Sequence, residues 1–245
     1  MTQRVLRADA GGLCTLTLNR PDKRNALDTE AFEALDAHLG ALECATASVG
    51  CVVLRGAGEC FCAGADLKGI GQPTGHPPAY KPQVIERLGR LPQPVIAAVH
   101  GICYTGGLEL ALACDFIVAD ASARFADTHG KWGLVGAWGM AERLPRRIGV
   151  PAAKRMMMTG SVVTAAAAES IGLVDLLAPA GTLEAVLEGF VRELLANSWH
   201  TNFAAKRMML EADGLPLAQA LARGHYRHPG HAPDQRERVA AFKRE

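Results

Sequence analysis

The sequence predicts an α/β fold built on a parallel sheet of βα units. Short apolar, strand-like runs alternate with helix-period runs from residue 13 to about 177. One apolar strand, Pro94 to Val99, runs into a glycine-rich turn that opens a helix. The last quarter, from Thr182 onward, changes character and is helical almost throughout. A chain of 245 residues buries one sizeable core, and length alone suits one large domain or two small ones.

In chain order, Leu13 to Leu18 alternates as a strand after the turn Ala10-Gly11-Gly12. A polar loop with a proline, Asn19 to Asn25, follows. Asp28 caps a helix to about Cys44, whose apolar positions are Phe32, Leu35, Leu39 and Leu42. Val49 to Leu54 is a short apolar strand, and Gly56 to Glu59 a turn. Gly69 to Pro82 holds four prolines and three glycines and reads as mobile. A helix over Gln83 to Leu91 leads to the Pro94–Val99 strand. Further on, Phe116 to Ala119 is a strand, and Pro151 to Met158 and Ala165 to Ile171 are helices. Leu173 to Leu177 is a strand, and the helical tail breaks at Gly214-Leu215-Pro216.

The turn Gly101 to Glu109 carries the chemistry. Its glycines let a ligand approach the backbone, and the first amides of the helix lack internal partners. With the positive end of the helix dipole behind them, they form a donor array for a developing negative charge. Glu109, in the first helical turn, is a candidate acid/base facing the same space.

Composition narrows the classes. Half the residues are apolar, 21% are charged and the net charge is +1, which argues against a phosphate-backbone binder. The stretch Met1 to Asp9 shows no apolar core of a signal peptide, and no run approaches the roughly 18 apolar residues of a membrane helix. The seven cysteines form no CxxC pair and read as reduced thiols, so a cytoplasmic protein without a metal cluster is expected. His225, His228 and His231 fall at spacing three, but Pro229 and Gly230 break any helix that would align them on a metal.

Four blocks standing in register resemble the crotonase family, the enoyl-CoA hydratase/isomerase superfamily. They are Asn19-Arg20-Pro21 with Asn25-Ala26-Leu27; Phe61 to Leu67; Gly101 to Asp115; and Phe125 to Gly139 with Arg143-Leu144-Pro145 and Ile148-Gly149. Thr159-Gly160 with Gly172-Leu173-Val174 adds a looser fifth. The resemblance implies a crotonase-like spiral of repeated ββα units over residues 1–178, with a C-terminal helical layer over 179–245 engaged in trimerisation. A homotrimer or a dimer of trimers follows, with an acyl-CoA thioester as partner and no nucleic acid or membrane. Coenzyme A arrives as part of the substrate, so no separate cofactor and no metal are implied.

By motif match, the amides of Ala63 and Gly106 would hold the thioester oxygen, where an enolate carries its charge. Lys23 and Arg24 would meet the CoA phosphates. Ala26, Leu27, Ala65, Asp66, Leu67, Tyr104, Gly107, Thr128 and Trp132 would bind the rest of the CoA ester. Glu109 matches a glutamate that activates water in hydratases of the family. His129 stands where a second glutamate is usual, and reads either as a pocket-lining residue or as a proton-handling replacement. Asp127 reads first as a surface-loop acid, with orientation of that imidazole as the alternative. A glycine replaces the usual proline near position 136, which suggests a more flexible loop. Trp138 reads as core. In the tail, Tyr226, Arg236, Arg238 and Lys206 are candidates to reach CoA, with a polar helical face the favoured reading. Hydration of a 2-enoyl-CoA is the expected activity. The alternatives are another crotonase-type reaction, an RNA-binding member, which would need a basic stripe, and a thioester binder without catalysis.

Overall fold

The computed structural model describes residues 3–244. The chain runs β1 (Val5–Ala10), β2 (Leu13–Leu18), α1 (Thr29–Glu43), β3 (Cys51–Gly56), α2 (Tyr80–Gly89), β4 (Val95–Val99), β5 (Ile102–Tyr104), α3 (Gly106–Ala113), β6 (Phe116–Asp120) and β7 (Arg124–Ala126). It continues through α4 (Met140–Ile148), α5 (Val150–Thr159), β8 (Val163–Thr164), α6 (Ala165–Ser170) and β9 (Leu176–Ala178). Four helices close it: α7 (Leu183–Ala196), α8 (Trp199–Ala212), α9 (Leu217–Tyr226) and α10 (Gln235–Phe242).

Two sheets form. The larger has the order β1-β2-β3-β4-β6-β9 and is parallel except for the β1–β2 hairpin. The smaller joins β5, β7 and β8. The units β4-β5-α3 and β6-β7-α4 each lay one strand in the large sheet, one in the small sheet and then a helix. This is the repeated ββα spiral that the motifs imply. Strands β3 and β4 are buried on both faces, as parallel strands under helices must be. Val52, Leu54, Val95, Ala97 and Val99 face the main core with α1, α2 and α3. Cys51, Val53, Ile96 and Ala98 face the other way, onto Leu183, Leu187 and Val191 of α7. Thus α7, the first helix after the expected boundary at 178, completes the sheet's second face.

Several elements escape the sequence reading. β1 carries alternating charge on an edge, and β5, β7 and β8 are only two or three residues long. α4 contains Pro145 and has no counterpart in the sequence reading. α2 begins at Tyr80 and takes Pro82 into its first turn, where the missing N–H costs nothing. The segment before it is tied down at its end: His76 stacks on Tyr80 at 3.9 Å and bonds Glu33 at 2.7 Å.

Candidate active site

The loop carrying Asn25 is zipped to the loop carrying Ala63. Asn25 is buried, with φ of 55°, and its Nδ2 donates to the carbonyls of Ala57 and Cys60 at 2.9 and 2.8 Å. Arg20 donates to Asp66 Oδ2 at 3.0 Å and to the Ala26 carbonyl at 2.7 Å. Leu27 N–H donates to Gly64 O, and Asp66 N–H to Leu27 O.

Within this zipper the Ala63 amide is already spent: it donates to the Arg24 carbonyl at 2.9 Å. That corrects the expectation placed on Ala63. The amide two residues on, Ala65, has no acceptor among the described residues. Gly106 opens α3, so its N–H lies outside the helical ladder. The two nitrogens are neighbours: a β-carbon built on Gly106 would stand 3.2 Å from the Ala65 nitrogen. It would also stand 2.4 Å from the Trp138 ring, so only glycine fits there. The free amide pair is therefore Ala65 and Gly106.

Thr105 sets the direction of the Gly106 amide. It sits at φ 49° and ψ −114°, a conformation costly for a β-branched residue, on the order of 1–3 kcal/mol. Its N–H donates to Ala126 O at 2.9 Å, and its hydroxyl bonds the Thr128 hydroxyl at 3.0 Å. The strained turn is thereby clamped to the loop that carries His129.

Glu109 is 1% exposed. Its Oε1 accepts the N–H groups of Trp138 (2.9 Å) and Met140 (3.2 Å), leaving Oε2 to face His129 Nε2 at 3.8 Å. Burial raises its pKa, against the opposing effects of the Trp138 amide, the His129 charge and the Met140 amide. His129 Nδ1 bonds Asp127 Oδ1 at 2.6 Å, and the same oxygen accepts the His129 backbone N–H at 3.0 Å. Burial lowers the histidine's pKa, but the Asp127 hydrogen bond, the Asp127 charge and Glu109 outweigh it, and the net shift is upward. Asp127 is only 2% exposed, so it is not a surface-loop acid but the partner of the imidazole. Gly136 is not a source of slack either. A β-carbon there would stand 3.0 Å from His129 Cε1 and 3.3 Å from Glu109 Oε1, so its absence lets the loop close over both side chains.

These groups open into one cavity of about 740 Å³. Lys23, Arg24, Ala26, Ala63, Ala65, Asp66, Leu67, Tyr104, Gly106, Glu109, Thr128, His129 and Trp132 all line it. Trp132 is 60% exposed at its edge. Trp138 also lines it while packing edge-on against Phe32, so it is both wall and core. Lys68 and Lys131, which the motifs did not single out, add two cations to the lining. Leu27 and Gly107 do not line it. Leu27 borders an adjoining recess of about 380 Å³ that shares Ala65, Asp66, Ile70 and Trp138 with the main cavity. Gly107 packs beneath, where a β-carbon would meet Cys62 O at 2.4 Å.

Of the tail candidates, Lys206, Arg236 and Arg238 do not line the cavity. Lys206 is buried, donating from Nζ to Asp115 Oδ2 at 2.7 Å and to Gln93 O at 3.0 Å. Arg238 is held by Asp234 and the Ala196 carbonyl. The side chain of Tyr226 is outside the described residues.

Two free amides beside a buried carboxylate and an Asp-bound imidazole define a class of enzyme that stabilises a developing oxyanion while moving protons next to it. The sequence profile of the enoyl-CoA hydratase/isomerase family matches residues 8–244. The chain belongs to that family and is an acyl-CoA enzyme of the crotonase type. It is similar to the mevalonyl-coenzyme A hydratase of Beauveria bassiana, 35% identical over 93% of this chain and 87% of the relative. It is also similar to the 1,2-epoxyphenylacetyl-CoA isomerase of Escherichia coli, 32% identical over 99% and 96%. Among solved structures, an enoyl-CoA hydratase from Bacillus anthracis superposes with a TM-score of 0.92 at 33% identity, covering 99% of this chain and 96% of that one. No helix among the described residues is long and apolar enough to cross a membrane.

Proposed function

We propose that the protein adds water reversibly across the double bond of a 2-enoyl-CoA. The observation that carries this reading is the free amide pair of Ala65 and Gly106 within the cavity that holds Glu109 and His129. Addition of water to the β-carbon pushes charge onto the thioester oxygen. Donors fixed in place before the reaction stabilise that charge more than the neutral carbonyl. Glu109 handles the water and His129 assists. Lys23 and Arg24 at the cavity wall, joined by Lys68 and Lys131, are placed to meet the CoA phosphates as exposed cations. The acyl chain extends past Ala65 and Trp138 toward the adjoining recess.

The assembly in this reading is a homotrimer or a dimer of trimers in the cytoplasm. Apolar side chains on the C-terminal helices support it: Leu217 is 74% exposed, Leu221 65% and Met209 67%. Light scattering reads the assembly, and a monomer at working concentration contradicts it.

The experiment for the activity is a panel of enoyl-CoA esters of varied chain length and ring content, assayed for hydration and for double-bond migration. Hydration of at least one ester is the expected result. Migration without hydration, or no turnover of any ester, overturns the reading.

A further inference from the structure

We propose that Asp127 is a positioning residue of the reaction. It binds Nδ1–H of His129 and so leaves Nε2, turned toward Glu109, as the atom that carries the transferable proton. The inference rests on the hydration reading above.

The geometry leaves little freedom. Asp127 Oδ1 accepts from both the ring Nδ1 and the backbone N–H of His129, at 2.6 and 3.0 Å, so a single buried oxygen fixes the ring and its own loop together. A carboxylate only accepts, so Nδ1 must keep its hydrogen and any change of protonation falls on Nε2. On the far side, Oε1 of Glu109 is taken up by two backbone donors, which leaves Oε2, 3.8 Å from Nε2, as the atom that accepts or returns a proton. The charged groups acting on the ring are Asp127 from its own loop and Glu109 from α3. Lys131 lies further along the same turn and lines the cavity. Residues 133–139, which close over the site, bring no titratable side chain.

The proton ledger closes within these three residues. The water oxygen bonds the β-carbon as its proton passes to Oε2 of Glu109. The π pair of the double bond moves to form the enolate, whose oxygen sits between the Ala65 and Gly106 amides. The enolate then regenerates the carbonyl as its α-carbon takes the proton from Nε2–H, and the N–H electron pair stays on Nε2. Glu109 now holds one proton and His129 lacks one. Transfer from Oε2 to Nε2 restores both, so no outside acid or base is needed.

Asp127→Asn tests this, because asparagine still accepts the His129 backbone N–H but carries no charge. The ring's titration, read by nitrogen NMR of imidazole-labelled protein without substrate, is expected to show Nδ1 protonated throughout and Nε2 titrating. In Asp127→Asn the midpoint should fall by about one unit or more. In kinetics the high-pH limb, where the ring loses its proton, should move to lower pH, with kcat reduced about 10²-fold and KM little changed. His129→Ala and the Asp127→Asn/His129→Ala double variant should be equally slow. A titrating Nδ1, an unshifted midpoint, or a double variant slower than His129→Ala by the full Asp127→Asn factor overturns the proposal. Should the midpoint shift while no enoyl-CoA is hydrated, the positioning role stands and the reaction assignment falls.

Discussion

Oε2 of Glu109 and Nε2 of His129 lie 3.8 Å apart, although one residue comes from the first turn of α3 and the other from the turn after β7. Two short elements of different sheet–helix units thus meet over one cavity. The Thr105–Thr128 hydroxyl bond, at 3.0 Å, ties the same two segments one residue before the oxyanion turn and one before the histidine.

Glu109→Gln keeps the acceptor for the Trp138 and Met140 amides but removes the base. Turnover should fall about 10²–10⁴-fold while affinity for acyl-CoA esters persists. Isothermal titration with a short, a long and an aromatic acyl-CoA reads the affinity. Undiminished turnover places the base elsewhere.

Glu109 and His129 are both raised above their ordinary values, 4.5 and 6.5, so the folded state binds their protons more tightly than the unfolded chain. Each contributes stability that is fully present below the unfolded value and lost as pH rises through the folded one. Thermal melts should show the wild type losing more stability between about pH 5 and 8 than a Glu109→Gln/His129→Gln variant. The opposite slope contradicts the assigned directions. Activity needs Glu109 ionised and His129 protonated, so both limbs of its pH profile should lie above the ordinary values.

The choice between Ala63 and Ala65 is open to backbone chemistry. Replacing the residue by lactic acid turns the amide N–H into an ester oxygen. At position 65 the rate should fall about 10²–10³-fold with the fold unchanged. At position 63 the rate per folded molecule should hold, while stability drops by about 1 kcal/mol as the bond to Arg24 O is lost. Equal rate losses at both positions contradict the assignment.

Lys206→Ala leaves the half-buried Asp115 carboxylate without its cation and should cost about 2–3 kcal/mol in denaturant unfolding, with kcat per folded molecule unchanged. A neutral effect on stability contradicts a structural role for the pair.

Gly106 and Glu109 were legible in the sequence because residue type and spacing within one strand–turn–helix unit carry the signal, and His129 because the fourth block of the family resemblance marks its position. Ala65 was not, because the availability of an amide depends on where distant carbonyls fall, and Arg24 O claims the Ala63 N–H from another loop. Asp127 and Lys206 were read as surface residues for the same reason: burial is decided by packing, not by local pattern. Gly136 looked like slack until the imidazole it makes room for was in place. The sheet's central strands were visible as apolar runs, while β5, β7 and β8, two or three residues long, leave no periodicity to read.

The most direct test of the central claim follows the oxygen. Turnover of a 2-enoyl-CoA in ¹⁸O-water, read by mass spectrometry of the product, should place one heavy oxygen on the β-carbon, with about 10²–10⁴-fold more of this labelled product formed by wild-type protein than by Glu109→Gln in the same time. A product with a migrated double bond and no heavy oxygen, or equal amounts of labelled product from both proteins, would contradict it.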